Sequence, residues 1–543
     1  MRDEASNKGI EQTRRAFLAT GTALAGAALL PVPGLAQAPQ RHPRRGGTIR
    51  FAMRDDSVGL DTHRNVIYFV SHPLAGITGG LLDFDDRMEL VAAIASEWDM
   101  SPDLKTWTFR LRRGAEFHNG ETIDGQAVKW NFERILDPKI GHSFHRSALS
   151  DLERIVVDDK YTVRCHLKEP NAAFDSNVVY YPVNLMAPGA VDKVDTHPMG
   201  CGPFKFKAWK RFDTCELVRF ENFWQTDAEG HALPYLDGMI GKPKKEDRVR
   251  LTALRTNEVD LIDNIAYADA PSFVREHGAA FATWPVPQVG TAFLVFNLKN
   301  GPFSDKDNPD ARMLRTAAAH AIDRRGIHEA VFNKQGAIAN GFYGESSPWH
   351  AANVTPPPAY DPNKARALRR KAKGGDARLL IVANDSFPYM QQSGELVHAM
   401  LREAGFNVIF EIHPTPVMLD KLTKGEFDIN SSANSYRLDP DGFFSRDVLS
   451  TAPQTQQFRG YRSEKADQII LAAKVERDKA KRRHMYGDVE SIINTDVPML
   501  YTHYVSLLQA GSRAVQGYKP AFTGPFQYGA GGLRTAWIQK PTG

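Results

Sequence analysis

Several short segments in the first half of the chain alternate apolar and polar residues. In each segment every second residue is apolar: Ile49, Phe51 and Met53; Trp107, Phe109 and Leu111; Tyr161, Val163, Cys165 and Leu167; Phe204 and Phe206. A period of two residues puts the apolar side chains on one face of a half-buried strand. The first half of the chain is therefore predicted to be rich in strands.

One clear helix is predicted among these strands. Val128, Phe132 and Ile135 recur at helical spacing and would share one face. Asp124 precedes them at a position where its side chain can cap the first turn, and Pro138 ends the helix.

The second half begins with a stronger helical pattern. Leu314, Ala317, Ala318, Ala321 and Ile322 fall on one face, which predicts an amphipathic helix packed on the core.

Residues 379–412 then predict a β-α-β unit. An apolar run at 379–382 is typical of a buried strand, residues 396–404 carry a helical pattern that ends at Gly405, and Val408, Phe410 and Ile412 alternate. Two strands joined by such a helix lie parallel, with a right-handed crossover.

Residues that interrupt regular structure concentrate at 200–203, 300–309 and 355–358. Together with the change from strand to helix patterns, they favour two α/β lobes with an inserted subdomain of strands and a helix.

The N-terminus is predicted to be an export signal. Arg14 and Arg15 form a twin-arginine element, a weakly apolar run follows at 19–30, and a small-residue cleavage site lies at 36–38. We assign residues 1–38 to a twin-arginine signal peptide; cleavage after Ala36 is an alternative, and so is a disordered terminus that merely contains the two arginines.

Composition excludes some classes of function. The chain has 68 Lys and Arg against 64 Asp and Glu, a net charge of +4, which is too close to neutral for a nucleic-acid-binding surface. Beyond the signal no run reaches the ~18 apolar residues of a membrane helix, so we expect a soluble mature chain. Cys165, Cys201 and Cys215 are too few for a disulfide framework, although one bridge is allowed, and we interpret them as buried thiols.

The sequence lacks several common catalytic motifs: G-x-S-x-G, a P-loop, G-x-G-x-x-G and H-E-x-x-H. His142 and His145 lie three residues apart but have no acidic ligand cluster beside them, so we predict no metal site and no cofactor. A two-lobed protein with an active site in its cleft remains the alternative.

With these residues in view, the chain resembles the extracellular solute-binding proteins of peptide, opine and nickel ABC transporters (solute-binding protein family 5). The most specific match runs from Ala95-Ser96-Glu97-Trp98, through residues 103–114, to Phe117-His118-Asn119-Gly120 and then residues 128–138. Further matches follow in the family's order at residues 200–204, 234–238, 254–261, 319–324 and 439–441. Cys201 departs from the family's usual Thr, which puts the polarity of the cleft there in question.

The resemblance implies a type II periplasmic-binding-protein fold, a Venus flytrap of two α/β lobes with an inserted subdomain. Lobe I would comprise residues 46–83, 200–297 and 508–543, the subdomain residues 84–199, and lobe II residues 298–507. The implied function is that of a periplasmic, monomeric protein which is not an enzyme, captures a small solute between its lobes and delivers it to an ABC transporter permease in the inner membrane.

In this family the ligand contacts come from less regular segments. By the resemblance these segments supply Asn65, Tyr68, Phe69, Trp284, Phe293, Trp349, Asn434, Tyr436, Arg437 and Asp439. Aromatic walls and a few polar groups suit a small-molecule site, although for each aromatic a place in the core is an equal alternative.

Two of these residues carry a sharper expectation. Peptide-binding members hold the peptide's terminal ammonium with an acidic residue just before the Asp-Pro-Asp segment. No carboxylate directly precedes Asp439 here, so we expect a ligand other than an ordinary free-amino peptide. Arg437 is predicted to anchor an anionic group of the ligand; pairing with Asp439 or Asp441 across a turn is the alternative, and Asp439 itself is also interpreted as a turn former.

Overall fold

The structure is a computed structural model. It describes residues 43–57, 59–65, 72–179, 183–305, 307–385, 387–520 and 532–539. The predicted signal peptide and the candidate ligand residues Tyr68 and Phe69 lie outside the described residues.

The strands are numbered along the chain. They are β1 Thr48–Met53, β2 Leu82–Phe84, β3 Leu90–Ala92, β4 Ala95–Met100, β5 Thr106–Leu111, β6 Leu152–Asp159, β7 Thr162–Leu167, β8 Phe204–Lys210, β9 Thr214–Arg219, β10 Gly238–Pro243, β11 Leu261–Ile262, β12 Phe281–Phe296, β13 Ala337–Ile338, β14 Arg378–Asn384, β15 Asn407–His413, β16 Ile429–Ser435, β17 Met499–Ser512, β18 Val515–Gln516 and β19 Trp537–Ile538.

The helices are numbered in the same way. They are α1 His72–Ile77, α2 Gly125–Leu136, α3 Ser143–Ala148, α4 Phe174–Val178, α5 Asp247–Arg255, α6 Ala270–His277, α7 Pro309–Ala321, α8 Arg324–Ala330, α9 Pro362–Lys371, α10 Pro388–Glu403, α11 Thr415–Lys424, α12 Asp441–Asp447, α13 Glu464–Val475 and α14 Lys479–Asp496.

A large mixed sheet runs through most of the molecule. Its strand order is β15-β14-β16-β12-β17-β11-β1-β10-β9-β8, and β13 pairs with β17 beside this path. We call β11, β1, β10, β9 and β8 the first half of the large sheet, and β15, β14 and β16 its second half. The helices α7 to α14 and their connecting segments lie between β12 and β17 in the chain, and we count them with the second half.

The long strands β12 and β17 cross from one half to the other. β12 pairs with β16 from Gly290 onward, while β17 pairs with β11 at its far end. The register between β12 and β17 shifts between Val286 and Gly290. Because a bulge bends a strand, the crossing pair is suited to act as a hinge between the two halves.

A second, small sheet has the order β4-β5-β7-β6, all antiparallel. Helix α2 packs on it, and the buried apolar residues of both form one core. We call residues 84–199, which contain this sheet, the small-sheet unit.

The predicted local structure agrees closely with these elements. Asp124 caps α2 by accepting a hydrogen bond from the N–H of Ala127 at 3.0 Å. The β-α-β prediction is confirmed by β14 and β15, which pair in parallel around α10. Helix α10 ends just before Gly405, which has φ +89°, a conformation that suits glycine.

Candidate functional site

A cavity of about 720 Å³ lies where the two halves of the large sheet meet. Its floor is formed by the crossing strands, through Val289 and Gly290 of β12 and Val505 and Leu507 of β17. The cavity therefore adjoins the bend in β12, where relative movement of the two halves would widen or narrow it.

The wall from the first half comes from the carboxyl ends of its strands. Arg54 follows β1, and Asp263 follows β11, while Asp247 begins α5 after β10. Arg54 lies 3.1 Å from Asp247, and the fully buried Arg250 lies 2.9 Å from Asp263. These opposite charges balance one another, so this wall is polar without a large net charge.

The wall from the second half combines aromatic side chains with the carboxylates of Glu329 and Glu395. Phe387, Pro388 and Tyr389 at the start of α10 face the cavity, and Tyr267 lies on the opposite side. Burial raises the pKa of both the Tyr267 and the Tyr389 hydroxyl, so both stay protonated near neutral pH. Broad apolar faces with a few polar groups are typical of small-molecule sites.

The two walls are joined at one side of the cavity. The side-chain amides of Asn333 and Gln335 both donate to the backbone carbonyl of Tyr267, at 3.1 and 2.8 Å. The Tyr267 ring also packs edge-on against Phe332, with ring centroids 5.2 Å apart. These bonds connect residues after β11 with residues after α8.

Asn434 is the predicted residue that faces this cavity. Of the eight predicted site residues that the structure describes, it alone lines the cavity. Its amide nitrogen Nδ2 is buried and has no hydrogen-bond partner among the described residues. At Gly290 a Cβ would lie only 2.4 Å from the Asn434 carbonyl oxygen, so glycine is needed for the close approach of β12 and β16.

Asn65 does not line this cavity. It is half-buried, and its Nδ2 donates to the carbonyl of Asp61 at 2.9 Å. Asp61 in turn accepts two bonds from Arg134 of α2, at 3.0 and 2.6 Å. Asn65 is therefore part of a contact between the segment after β1 and the small-sheet unit.

The two predicted aromatic residues of β12 pack in hydrophobic cores and do not line the cavity. Trp284 packs edge-on against Tyr518, with ring centroids 5.0 Å apart. Phe293 is 1% exposed and packs between Phe443 and Tyr501. Alternation along a strand separates its two faces, but it does not distinguish a cavity wall from a core, and for Phe293 the core alternative holds in this structure.

Trp349, Tyr436 and Asp439 belong to a buried group around Arg482. Trp349 Nε1 donates to the carbonyl of Leu438 at 2.6 Å, and its ring lies 5.2 Å from the Arg482 guanidinium. Asp439 accepts two bonds from Arg482, each 2.7 Å long. Tyr436 is 3% exposed, with its hydroxyl 2.5 Å from that of Ser347.

Arg437 is also buried, with 8% of its surface exposed. Burial raises the pKa of the nearby Asp447, but Arg446, Arg459 and Arg437 together outweigh this effect and hold that pKa below its usual range. Asp439 pairs with Arg482. The Oδ1 of Asp439 also accepts from the N–H of Asp441, as expected of a turn former.

The sequence-based prediction missed the residues of the cavity wall. Arg54, Tyr267 and Tyr389 all lie just beyond the carboxyl end of a strand or at the start of the following helix. Ligands of α/β proteins commonly bind at such ends. For Tyr389 a signal was present, because the predicted β-α-β unit placed it between the first strand, at 379–382, and the helical pattern at 396–404.

A family model described as bacterial extracellular solute-binding proteins, family 5 middle, matches residues 89–456. The chain belongs to this family. Family 5 proteins are periplasmic solute-binding components that work with ABC transporter permeases. Membership confirms the resemblance seen in the sequence, and it confirms that the chain is a binding protein rather than an enzyme.

Curated relatives in family 5 include glutathione-binding proteins. GsiB of Pectobacterium atrosepticum is 26% identical over 457 residues, covering 81% of this chain and 85% of that protein. GsiB of Escherichia coli is 30% identical over 298 residues, covering 54% of this chain and 55% of that protein.

Solved structures of family 5 proteins share the fold. DppA from Helicobacter pylori, in complex with the peptide STSA, has a TM-score of 0.78 at 22% identity and covers 92% of this chain and 99% of that one. AgaA from A. tumefaciens R10, in complex with agropinic acid, has a TM-score of 0.77 at 23% identity and covers 91% and 99%. The predicted type II periplasmic-binding-protein fold is thereby confirmed. Among the described residues, the helices are all too short or too polar to cross a membrane.

Proposed function

We propose that this family 5 protein captures an anionic opine, amino-acid conjugate or peptide-like solute in the 720 Å³ cavity and delivers it to an ABC permease. The position of the cavity carries the proposal. It lies over the crossing strands and takes its walls from both halves of the large sheet, so a solute held there would touch both halves and favour a closed cleft.

Asn434 supports a polar ligand. Its unpartnered Nδ2 is buried beside the floor of the cavity, and a buried donor without an acceptor is costly. A carboxylate, carbonyl or hydroxyl oxygen of the solute would satisfy this group and fix the orientation of the solute.

The relatives narrow the choice of solutes to test first. The GsiB proteins are named as glutathione-binding, and AgaA was solved with agropinic acid. Glutathione carries carboxylates and is itself a conjugate of amino acids. Both compounds therefore fit the proposed solute class.

The proposal includes the organisation and location predicted from the sequence. Lobe I would comprise residues 46–83, 200–297 and 508–543, the inserted subdomain residues 84–199, and lobe II residues 298–507. The protein would be exported by its twin-arginine signal, act in the periplasm as a monomer, and bind no nucleic acid.

Thermal-shift and calorimetric titrations with reduced glutathione, agropinic acid and a simple tripeptide test the proposal. A solute at one hundred times its dissociation constant should stabilise the folded state by about 2.7 kcal/mol. Asn434→Trp, which places a bulky ring at the cavity, should abolish that gain, whereas Asn363→Trp on the exposed surface of α9 should retain it.

Recovery of chemically unchanged solute after release would support binding without turnover. If neither glutathione nor agropinic acid stabilises the protein, the proposed solute class is wrong. Binding that survives in Asn434→Trp would place the ligand outside this cavity.

A further inference from the structure

The small-sheet unit is tied to the first half of the large sheet at both of its ends. The chain enters it after α1, whose Leu74 and Ile77 pack in the core of the first half, and it leaves directly into β8. The two flanks of the unit are bridged at Gly79 with Leu185. The unit is therefore a covalent extension of the first half.

Contacts with the second half come from a different element. Residues 473–482, which join α13 to α14 and which we call the corner, face the small-sheet unit. Lys474 Nζ lies 2.9 Å from Asp151 Oδ1, and the Lys474 carbonyl accepts from the N–H of Ala172 at 2.9 Å.

Asn171 extends this contact into the interior. It is fully buried, and its Nδ2 donates to Asp151 at 2.7 Å and to Asp441 of α12 at 3.3 Å. Ser445 also donates to Asp441, so a chain of polar groups runs from the small-sheet unit into the second half.

Two exposed contacts lie at the rim of this interface. Arg477 donates to the carbonyls of Ser101 and Pro102, at 3.1 and 2.9 Å, and Lys479 lies 2.7 Å from Glu89. One continuous cluster of buried apolar side chains also includes residues of both the small-sheet unit and the second half. The small-sheet unit and the second half are thus in direct contact in this structure.

This arrangement has a mechanical consequence. The small-sheet unit follows the first half, so separation of the two halves about β12 and β17 must break the bonds at the corner. We propose that the contact formed by Lys474, Asp151 and Asn171 is a latch that holds the cleft closed and sets the ratio of closed to open molecules before any solute binds. This rests on the hinged, two-lobed part of the proposed function and is independent of the identity of the solute.

The burial of the latch determines its expected strength. Only 14% of the Lys474 side chain and 21% of the Asp151 side chain are exposed, so the pair is shielded from water far more than a surface ion pair. A charge-assisted hydrogen bond in such a place should change the closed-to-open ratio by about tenfold. Because apparent affinity scales with the fraction of competent molecules, the latch would also tune the affinity for the solute.

A pair of spin labels can measure this ratio directly. Glu153→Cys on β6 and Leu471→Cys on α13 give exposed labelling sites on the two bodies, while the three native cysteines are buried. Distance distributions would be recorded on the mature chain without solute. Lys474→Met and Asp151→Asn should each move population to a longer distance, and the double variant should do no more than either single variant.

Lys465→Met is the matched control, because Lys465 lies on the exposed face of the same helix; it should leave the distribution unchanged. Asp151→Asn alters no helix and keeps the shape of the side chain, so it tests the idea even if Lys474→Met folds poorly. Unchanged distances in Asp151→Asn, or equal changes in Lys465→Met, would overturn the latch. The spin-label experiment contains no solute, so a negative result in it would not contradict the binding proposal. In the same way, a lack of glutathione binding would not contradict the latch.

Discussion

Asp439 and Arg482 form a buried ion pair in which both terminal nitrogens of the guanidinium donate to the two carboxylate oxygens, at 2.7 Å each. About 6% of each side chain is exposed. Asp439→Ala would leave the arginine charge buried without its partner, and we expect it to lower the free energy of unfolding by about 3 to 5 kcal/mol.

Chemical denaturation would measure this loss. Asp420→Ala is the control, because Asp420 pairs with Lys424 on the surface, with 57% of each side chain exposed; its cost should stay within about 1 kcal/mol. Similar losses in the two variants would contradict the structural role assigned to Asp439.

Glu490 should make stability fall as the pH rises. It is 3% exposed, and burial raises its pKa from 4.5 to about 8, against the opposing effect of bonds from the N–H groups of Phe342 and Tyr343. Between pH 4.5 and about pH 8, Glu490 is therefore protonated in the folded state and ionised in the unfolded state. Stability from this group is complete below pH 4.5 and declines by about 1.4 kcal/mol per pH unit until about pH 8.

Glu490→Gln tests this because its amide is neutral at every pH. The difference in unfolding free energy between wild type and variant should change across pH 5 to 8 in favour of the variant. The exposed Glu403→Gln should show no such trend, and a flat difference for Glu490→Gln would refute the prediction.

Arg437 should contribute to stability even when no solute is present. Arg437 is 8% exposed, and its Nη1 donates to the Tyr436 carbonyl at 3.4 Å; removal of a buried charged donor costs about 1 to 3 kcal/mol. We expect Arg437→Ala to lower the melting temperature of the empty protein, and the exposed Arg462→Ala to leave it unchanged. An unchanged melting temperature together with weaker binding of an acidic solute would instead support the anion-anchor hypothesis.

At low pH, protonation of Asp175 should favour the closed cleft. Burial raises the pKa of Asp175 to about 6, with Asp439 adding to the rise while the bond from Trp98 and the charge of Arg482 oppose it. Asp439 and Arg482 belong to the second half, so we expect separation of the small-sheet unit from the second half to expose Asp175, and closing of the cleft to take up a proton. The closed fraction measured with the spin labels should grow from pH 7.5 to pH 5; Asp175→Asn should remove that growth, and the exposed Asp192→Asn should not.

Export should depend on the paired arginines near the N-terminus. Replacement of Arg14 and Arg15 with Lys should leave the full-length precursor inside the cell, while wild type is recovered from the periplasm without its first 36 to 38 residues. Fractionation followed by intact-mass measurement distinguishes these outcomes. Normal secretion of the double variant would indicate another export route.

Local patterns were sufficient to predict the main elements and the family. The cap at Asp124, the parallel pair β14–β15 and the glycine that follows α10 all depend on neighbours in sequence, and the structure contains each of them. Their physical causes act over a few residues, so one sequence carries them.

The site was harder to predict because its partners are distant in sequence. Asp439 was expected to contact a ligand or a nearby residue, yet its partner Arg482 lies 43 residues further on. Lys474 and Asp151 are 323 residues apart. Spacing and residue type show which groups need partners, but only the packing of whole elements shows which partner each one finds.

The three thiols lie at different places in the fold and are all shielded from solvent. Cys165 is in β7 of the small sheet, Cys215 is in β9 of the large sheet, and Cys201 lies where the chain returns from one to the other. Burial raises the pKa of Cys201 and Cys215 to about 12, so at neutral pH only about 1 in 100,000 of these thiols is the reactive thiolate. Alkylation therefore requires local opening, and the order in which the three cysteines react would rank the parts of the chain by how readily each one unfolds.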